Sequence, residues 1–278
     1  MKDVKDQLVL ITGSTDGLGK GSARALAAKG AIVMLHGRNR DRLDRTAKEI
    51  AQETGNKKIE VYLADLSSLA EVRGLAAEVQ RNHDHLDLLI NNAGIGFGAP
   101  GAKRALSRDA YELRFAVNYL APFLLTNLLV PMLQRSSPAR IVNVASMGQE
   151  AIDFGDIMLT KGYSGVRAYR RSKTALVMFT FDLAERLRKD DVTVNCLHPA
   201  TYMDTNMVRE AGIKALSSVQ TGIDALMYVA TSAEMDGVTG RFYDRKEEAR
   251  AIPQAYDQGA RKELLRISEE LTSVELPS

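Results

Sequence analysis

The chain has 278 residues, 45% hydrophobic and 26% charged, enough for one continuous core and with no sign of disorder. Thirty-seven basic against 35 acidic residues leave a formal charge of +2, without the basic excess of a nucleic-acid binder; the single Cys196 excludes a disulfide framework, and four histidines without ligand spacing imply no metal. No apolar run approaches the roughly 20 residues of a membrane span, and the first apolar stretch is too short for a signal peptide, so the sequence reads as cytoplasmic.

The first apolar run, LVLIT (8 to 12), is too apolar to alternate and too short for a helix, which predicts a strand buried on both faces. It feeds a glycine-rich turn, TGSTDGLG, and then a helix over 19–30. AIVMLHG (31 to 37) predicts a second strand, RDRLDRTAKEIAQET (40 to 54) a helix, and KIEVYLADL (58 to 66) a third strand. The alternation continues with a helix at 68–80, a strand at 86–94 ending in NNAG, a long helix at 111–134 and a strand at 140–146. A helix at 167–189 and a strand at 192–199 follow, with Cys196 as a small buried hydrophobe in that strand. GRFYD (240 to 244) closes the sheet, and a charged helix at 257–272 trails off. Strict alternation requires right-handed crossovers, so the fold class is α/β: a single-domain, Rossmann-type doubly wound parallel sheet of about seven strands with helices on both faces.

In such a sheet ligands bind beyond the carboxyl ends of the strands. After the first strand, Gly13, Gly17 and Gly19 allow a sharp turn and close approach to a pyrophosphate, which the amides and dipole opening the next helix favour. The spacing is G-x-x-x-G-x-G rather than the G-x-G-x-x-G of many dinucleotide sites. An acid ending the second strand would bind a ribose 2′-hydroxyl; Gly37 stands there instead, and Arg38 follows with a planar fork of donors suited to a 2′-phosphate. Arg40, Arg42 and Arg45 interleave with Asp41 and Asp44 and read as a solvated helix face. In AYRRSKTAL (168 to 176), Tyr169 and Lys173 stand one helical turn apart. Tyrosine unaided titrates at about 10; an ammonium beside it favours the phenolate and brings that pKa toward the working range that proton transfer at a carbonyl oxygen needs. Arg170 and Arg171 between them point off that face to solvent.

From about residue 6 to about residue 245 the chain resembles the short-chain dehydrogenase/reductases, through TGSTDGLG, ADLSS (64 to 68), NNAG (91 to 94), FAVNYLAP, IVNVASMG and YRRSK. The resemblance implies a catalytic tetrad of Asn118, Ser146, Tyr169 and Lys173. Tyr169 would be the acid/base, Ser146 would polarise the substrate oxygen, Lys173 would also bind the nicotinamide ribose, and Asn118 would hold a proton-relay water through its helix backbone. NADP(H) would lie against Gly13, Ser14, Thr15, Gly17, Leu18 and Gly19, with Arg38, Asp65 and Leu66 toward the adenine. Asn92, Ala93, Gly94, Tyr169, Lys173, Pro199 and Thr201 would meet the rest of it. Within the family the likeness is to the retinol-dehydrogenase-like and protochlorophyllide-reductase-like branch, through IDFGDIMLTKGYSGVRAYRRSK (152 to 173) and NCLHPA. That implies a small apolar carbonyl or alcohol substrate, and the family habit implies a homodimer or homotetramer through the long helices at 109–134 and 166–189.

The domain plan that follows is one dinucleotide-binding unit over 1–278, with a core at 6–245, a substrate lid at about 202–217 and a helical tail at 246–278. Ala200 replaces the family's glycine, and PATYMDTN is one residue longer than the common form, which takes Thr205 away from the nicotinamide carboxamide and offers Thr201 instead. Thr174 stands where the retinol-like branch has leucine. Tyr202, Met203, Met207 and Val208 either present apolar surface to a ligand or pack the lid onto the core. His198 is read as structural, and Tyr163 and Tyr202 as neighbours of the substrate site. The alternative is a catalytically silent NADP(H)-binding sensor or scaffold, against which the intact tetrad argues. An epimerase-type relative would need a larger C-terminal domain than the residues after GRFYD supply.

Overall fold

The computed structural model describes residues 3–276; residues 1–2 and 277–278, which the expected 1–278 span included, lie outside the described residues. The strands are β1 (Leu8–Ile11), β2 (Ile32–Gly37), β3 (Ile59–Leu63), β4 (Leu88–Asn91), β5 (Ala139–Val144), β6 (Val192–His198), β7 (Phe242–Asp244) and β8 (Glu247–Ala249). They form an eight-stranded sheet, among the described residues, in the order β3-β2-β1-β4-β5-β6-β7-β8. Pairing is parallel from β3 to β7, and β8 adds antiparallel to β7. The seven parallel strands match the expected count of about seven, with one antiparallel strand added at the edge. The eighth is a three-residue edge strand with exposed Glu247 and Glu248, so it carries no apolar pattern that a sequence reading could detect.

Successive side chains of a strand point to opposite faces, and the two faces carry separate cores. Leu8, Leu10, Met34, Leu89, Ile141 and Cys196 join α3 (Leu69–Asn82), α5 (Ala121–Ser136), α6 (Gly165–Arg186) and α9 (Gln258–Thr272). Val9, Ile11, Val33, Leu35, Ile90 and Val142 join α1 (Gly17–Ala28), α2 (Arg40–Thr54) and α8 (Val219–Thr231). Helix starts are set locally: the Asn39 side chain accepts from Arg42 N, and the Ser68 hydroxyl from Glu71 N, satisfying amides with no partner inside the helix.

The expected long helix at 111–134 is α4 (Leu113–Phe115), a π-helical turn (Ala116–Leu120) and α5 in one rod. Over Leu113–Ser136 this rod is long and apolar enough by composition to cross a membrane, which corrects the expectation that no apolar run approaches that length. Its most apolar window is 83% buried inside the fold, and fully burying each leucine there is worth roughly 2 kcal/mol, so the core accounts for its composition. Helix α8 was not expected, because Gly222 interrupts the helical propensity of its sequence. That glycine has a packing cause: a Cβ there would lie 2.3 Å from the Met203 sulfur. The C-terminal helix does not trail off; it docks through buried Leu264 and a 2.6 Å bond between the Tyr119 and Ser268 hydroxyls.

Candidate active site

Strand order reverses between β1 and β4, and the crevice beyond their carboxyl ends is where the glycine turn lies. Gly13 (φ +64) and Gly17 (φ +50) adopt left-handed backbone that side chains disfavour. A Cβ on Gly19 would stand 2.2 Å from the Gly13 carbonyl oxygen, so the first turn of α1 packs directly on the loop. The loop is held from behind. Asn92 Nδ2 donates to the carbonyls of Thr12 (2.9 Å) and Gly13 (3.0 Å), while the amides of Asn92 and Ala93 both donate to the Thr12 hydroxyl. Ser14, fully buried, exchanges bonds with the His36 backbone. These members of the expected cofactor set shape the turn from within, while Thr15 and Gly17 are half-exposed at its rim and Leu18 is buried beneath it.

His36 escaped the sequence reading. Gly13 N donates to its Nδ1 (3.1 Å), which places the ring proton on Nε2, facing the Ala64 carbonyl at 3.1 Å. Burial drives its pKa from 6.5 down to about 4, so it is a neutral prop for the turn. Its only sequence sign is a polar residue in an otherwise apolar strand. A Cβ on Gly37 would come within 2.8 Å of the Thr15 methyl, so the missing acid there has a steric cause as well. Arg38 is exposed at the end of β2. Asp65 is held below the usual carboxylate range: burial works against this, but bonds from Ser67 outweigh it, helped by the charges of Arg108 and Arg38. Leu66 is buried in the core beside α3.

Across the crevice, Ser146 follows the end of β5 and receives a bond from Gly148 N (3.0 Å). Tyr169 and Lys173 project from α6, with Lys173 Nζ 5.8 Å from the tyrosine ring centroid and bonded to the Val144 carbonyl (2.7 Å). Burial lowers the Lys173 pKa from 10.5 to about 8. Burial also raises that of Tyr169, with the Ser146 hydroxyl acting in the opposite direction. The expected depression of the Tyr169 pKa by Lys173 is therefore corrected: with the ammonium 5.8 Å from the ring centroid, desolvation of the phenol dominates. Asn118, fully buried in the π-helical turn, accepts from Ile95 N (2.8 Å) and donates to Ile95 O and the Ser172 hydroxyl (both 3.0 Å). It joins the end of β4 to α6, and Gly94 lies between it and Lys173: a Cβ there would stand 3.2 Å from Asn118 Oδ1 and 3.5 Å from Lys173 Nζ.

Two further residues on α6 act on the Ser146 loop. The Thr174 hydroxyl donates to the Glu150 carbonyl (2.9 Å) and accepts from the Glu150 amide (3.1 Å), which gives the departure from leucine a structural reason. Arg171 does not point to solvent as expected; it is 9% exposed, with Nε 3.4 Å from Glu150 Oε1, because the loop after Ser146 folds back over that side of α6. Arg170 is exposed as expected.

The lid segment 202–217 contains a short helix, α7 (Asn206–Glu210). Tyr202 takes φ +44, and Thr205, rather than Thr201, places its methyl beside Gly17. Thr201 is exposed and its hydroxyl pairs with His198 Nε2 (3.0 Å); Pro199 is buried. His198 is buried, and that burial lowers its pKa. The lid residues divide: Met203 packs on the core, Met207 covers Gly96, Val208 is half-buried, and Tyr202 is 37% exposed at the mouth. Tyr163 is engaged away from the mouth by Arg114 (2.7 Å).

A family model described as short chain dehydrogenase matches residues 7–215. Human retinol dehydrogenase 13 is 33% identical over 293 residues, spanning 99% of this chain and 87% of its own length. Among solved structures, an uncharacterized protein from Mycobacterium paratuberculosis superposes with a TM-score of 0.78 at 28% identity, covering 99% of this chain and 97% of that one. A short chain dehydrogenase from Shigella flexneri complexed with NADP gives 0.69 at 26% identity, covering 88% of this chain and 100% of that one.

Proposed function

Because the chain belongs to the short-chain dehydrogenase family, we propose that it binds NADP(H) and moves a hydride between it and a small apolar carbonyl or alcohol, with Tyr169 as acid/base. The observation that carries the reading is the buried Lys173 ammonium behind the Tyr169–Ser146 pair, facing the glycine turn across one crevice. A buried cation with one protein carbonyl as acceptor has N–H directions left for a ligand. The turn at Gly13 to Gly19 suits a pyrophosphate, and the absence of a side chain at Gly94 leaves space beside Lys173. The residues present therefore fit the cofactor: Arg38 would take the 2′-phosphate, Asp65 the adenine end, Lys173 the ribose, and Thr205 the region beside Gly17.

When bound, the cofactor supplies the hydride. The chain's own work is at the oxygen. The Tyr169 phenol, beside the Ser146 hydroxyl, can donate its proton to the substrate oxygen as a carbonyl is reduced and take it back in the reverse direction. The Ser146 hydroxyl, already accepting from Gly148 N, has its own proton to offer the same oxygen. Residues 6–245 form the catalytic core in this reading, and 202–217 exclude water when a substrate is held.

A panel of apolar aldehydes, ketones, quinones and steroids, followed by loss of NADPH absorbance, tests the activity; a panel without turnover would sink it. Arg38→Asp should reverse the preference for NADPH over NADH, by about tenfold or more for one lost charge-assisted contact. Retained NADPH preference would remove Arg38 from the phosphate site.

A further inference from the structure

The loop after β4 is clamped by a buried ion pair that the proposed chemistry does not use. Arg114, 6% exposed at the head of the long rod, donates through Nε to the Gly96 carbonyl, through Nη2 to the Phe97 carbonyl and through Nη1 to the Tyr163 hydroxyl, each at 2.7 Å. Glu112 lies 3.7 Å away, is 1% exposed, and accepts from Phe115 N (2.7 Å) and from the Tyr163 hydroxyl (3.4 Å). One guanidinium thus holds the loop after β4 and the segment leading into α6 together. Gly165, the first residue of α6, completes the clamp: a Cβ there would meet the Phe97 carbonyl oxygen at 2.1 Å. The Phe97 ring stands edge-on to the Tyr169 ring, centroids 4.6 Å apart at 80°.

A guanidinium and a carboxylate buried together cost desolvation that apolar side chains of similar size would avoid, so their return is better sought in geometry than in stability. The bond to the Phe97 carbonyl fixes the backbone from which its ring meets the tyrosine, and edge-to-face pairs have a preferred geometry. We propose that Arg114, backed by Glu112 and Tyr163, is a positioning residue. It holds Phe97 against Tyr169, where the phenylalanine ring both orients the phenol and forms the wall that limits substrate width. This rests on the oxidoreductase reading for its substrate arm, while its structural arm does not.

The structural arm is 19F NMR of protein carrying 3-fluorotyrosine, with the Tyr169 resonance assigned by its loss in Tyr169→Phe. Phe97→Leu should move that resonance, and Arg114→Gln should move it in the same direction, with a smaller displacement for Tyr163→Phe. An Arg114→Gln protein that folds with the resonance unmoved overturns the proposal. Should that variant fail to fold, Tyr163→Phe decides it in the same way. In the turnover arm, the ratio of kcat/KM for a diaryl ketone to that for a linear aldehyde should rise about tenfold in both Phe97→Leu and Arg114→Gln, with NADPH affinity unchanged. An active variant with unchanged selectivity overturns the wall. A parent protein that reduces neither substrate defeats the oxidoreductase reading instead, and the NMR arm still decides the clamp.

Discussion

The glycine turn after β1 and the tyrosine–lysine pair on α6 face one crevice but use their polar groups differently. Around the turn, Thr12, Asn92, Ser14 and His36 bond to one another's backbone, so the cradle is complete before any ligand arrives. On α6 the Lys173 ammonium is buried with a carbonyl acceptor and, among the described residues, no carboxylate within ion-pair distance, and the Tyr169 pKa is raised by burial. One side is built for stability and close approach, the other holds a charge at a cost. Binding geometry can be prepaid by folding, whereas proton transfer needs groups kept short of full satisfaction.

The sharpest way to separate the two sides is Tyr169→Phe. It should lower carbonyl reduction by about 10²–10⁴-fold, the usual share of a general acid, while NADPH binding by fluorescence titration stays within a few-fold. Substantial retained turnover would place the acid elsewhere.

The next effect tests the turn through pH. His36 titrates at about 4 in the folded protein against 6.5 unfolded, so between those values the unfolded chain takes up a proton that the folded one refuses. Stability is therefore full above 6.5 and falls as pH drops toward 4, by on the order of 3 kcal/mol from this group. Urea unfolding of His36→Asn across that window should show a shallower slope; an unchanged slope would assign the acid sensitivity to other groups.

The smallest effect concerns the strained side. Lys173→Met should abolish turnover yet raise stability at neutral pH by roughly 1–2 kcal/mol, because it removes a desolvated charge. The lysine titrates at about 8 rather than 10.5, so its penalty is full below 8 and fades as pH rises through 10.5. A thermal melt of the variant at pH 7 showing a lower midpoint would contradict the comparison.

Much of this was legible in local sequence. Helix α2 spans residues 40–54 as its periodicity predicts, since its apolar stripe lies within the segment and its Asn39 cap immediately precedes it. Gly13 and Gly17 were legible because a turn that needs left-handed backbone selects glycine directly, and Gly19 because the first turn of α1 packs on that loop with no room for a Cβ. Helix α8 was not, because Gly222 answers to Met203 nineteen residues earlier in the chain rather than to its own helix. Arg171 and Thr174 were misread or unexplained for the same reason: both are defined by Glu150, on a loop that only folding brings alongside α6.

By itself the sequence determined the α/β alternation and the glycine turn, because spacing and residue type carry that information along the chain; Asn118, Ser146, Tyr169 and Lys173 came together as one proposed set through the family resemblance of their motifs. Tertiary structure alone decided the electrostatic state of that set. Desolvation depends on what surrounds a group in space, and it is burial that raises the Tyr169 pKa and brings Lys173 down to about 8. It also decided that Thr205 meets the turn and that Phe97 meets Tyr169, contacts between segments far apart in the chain that only folding brings together.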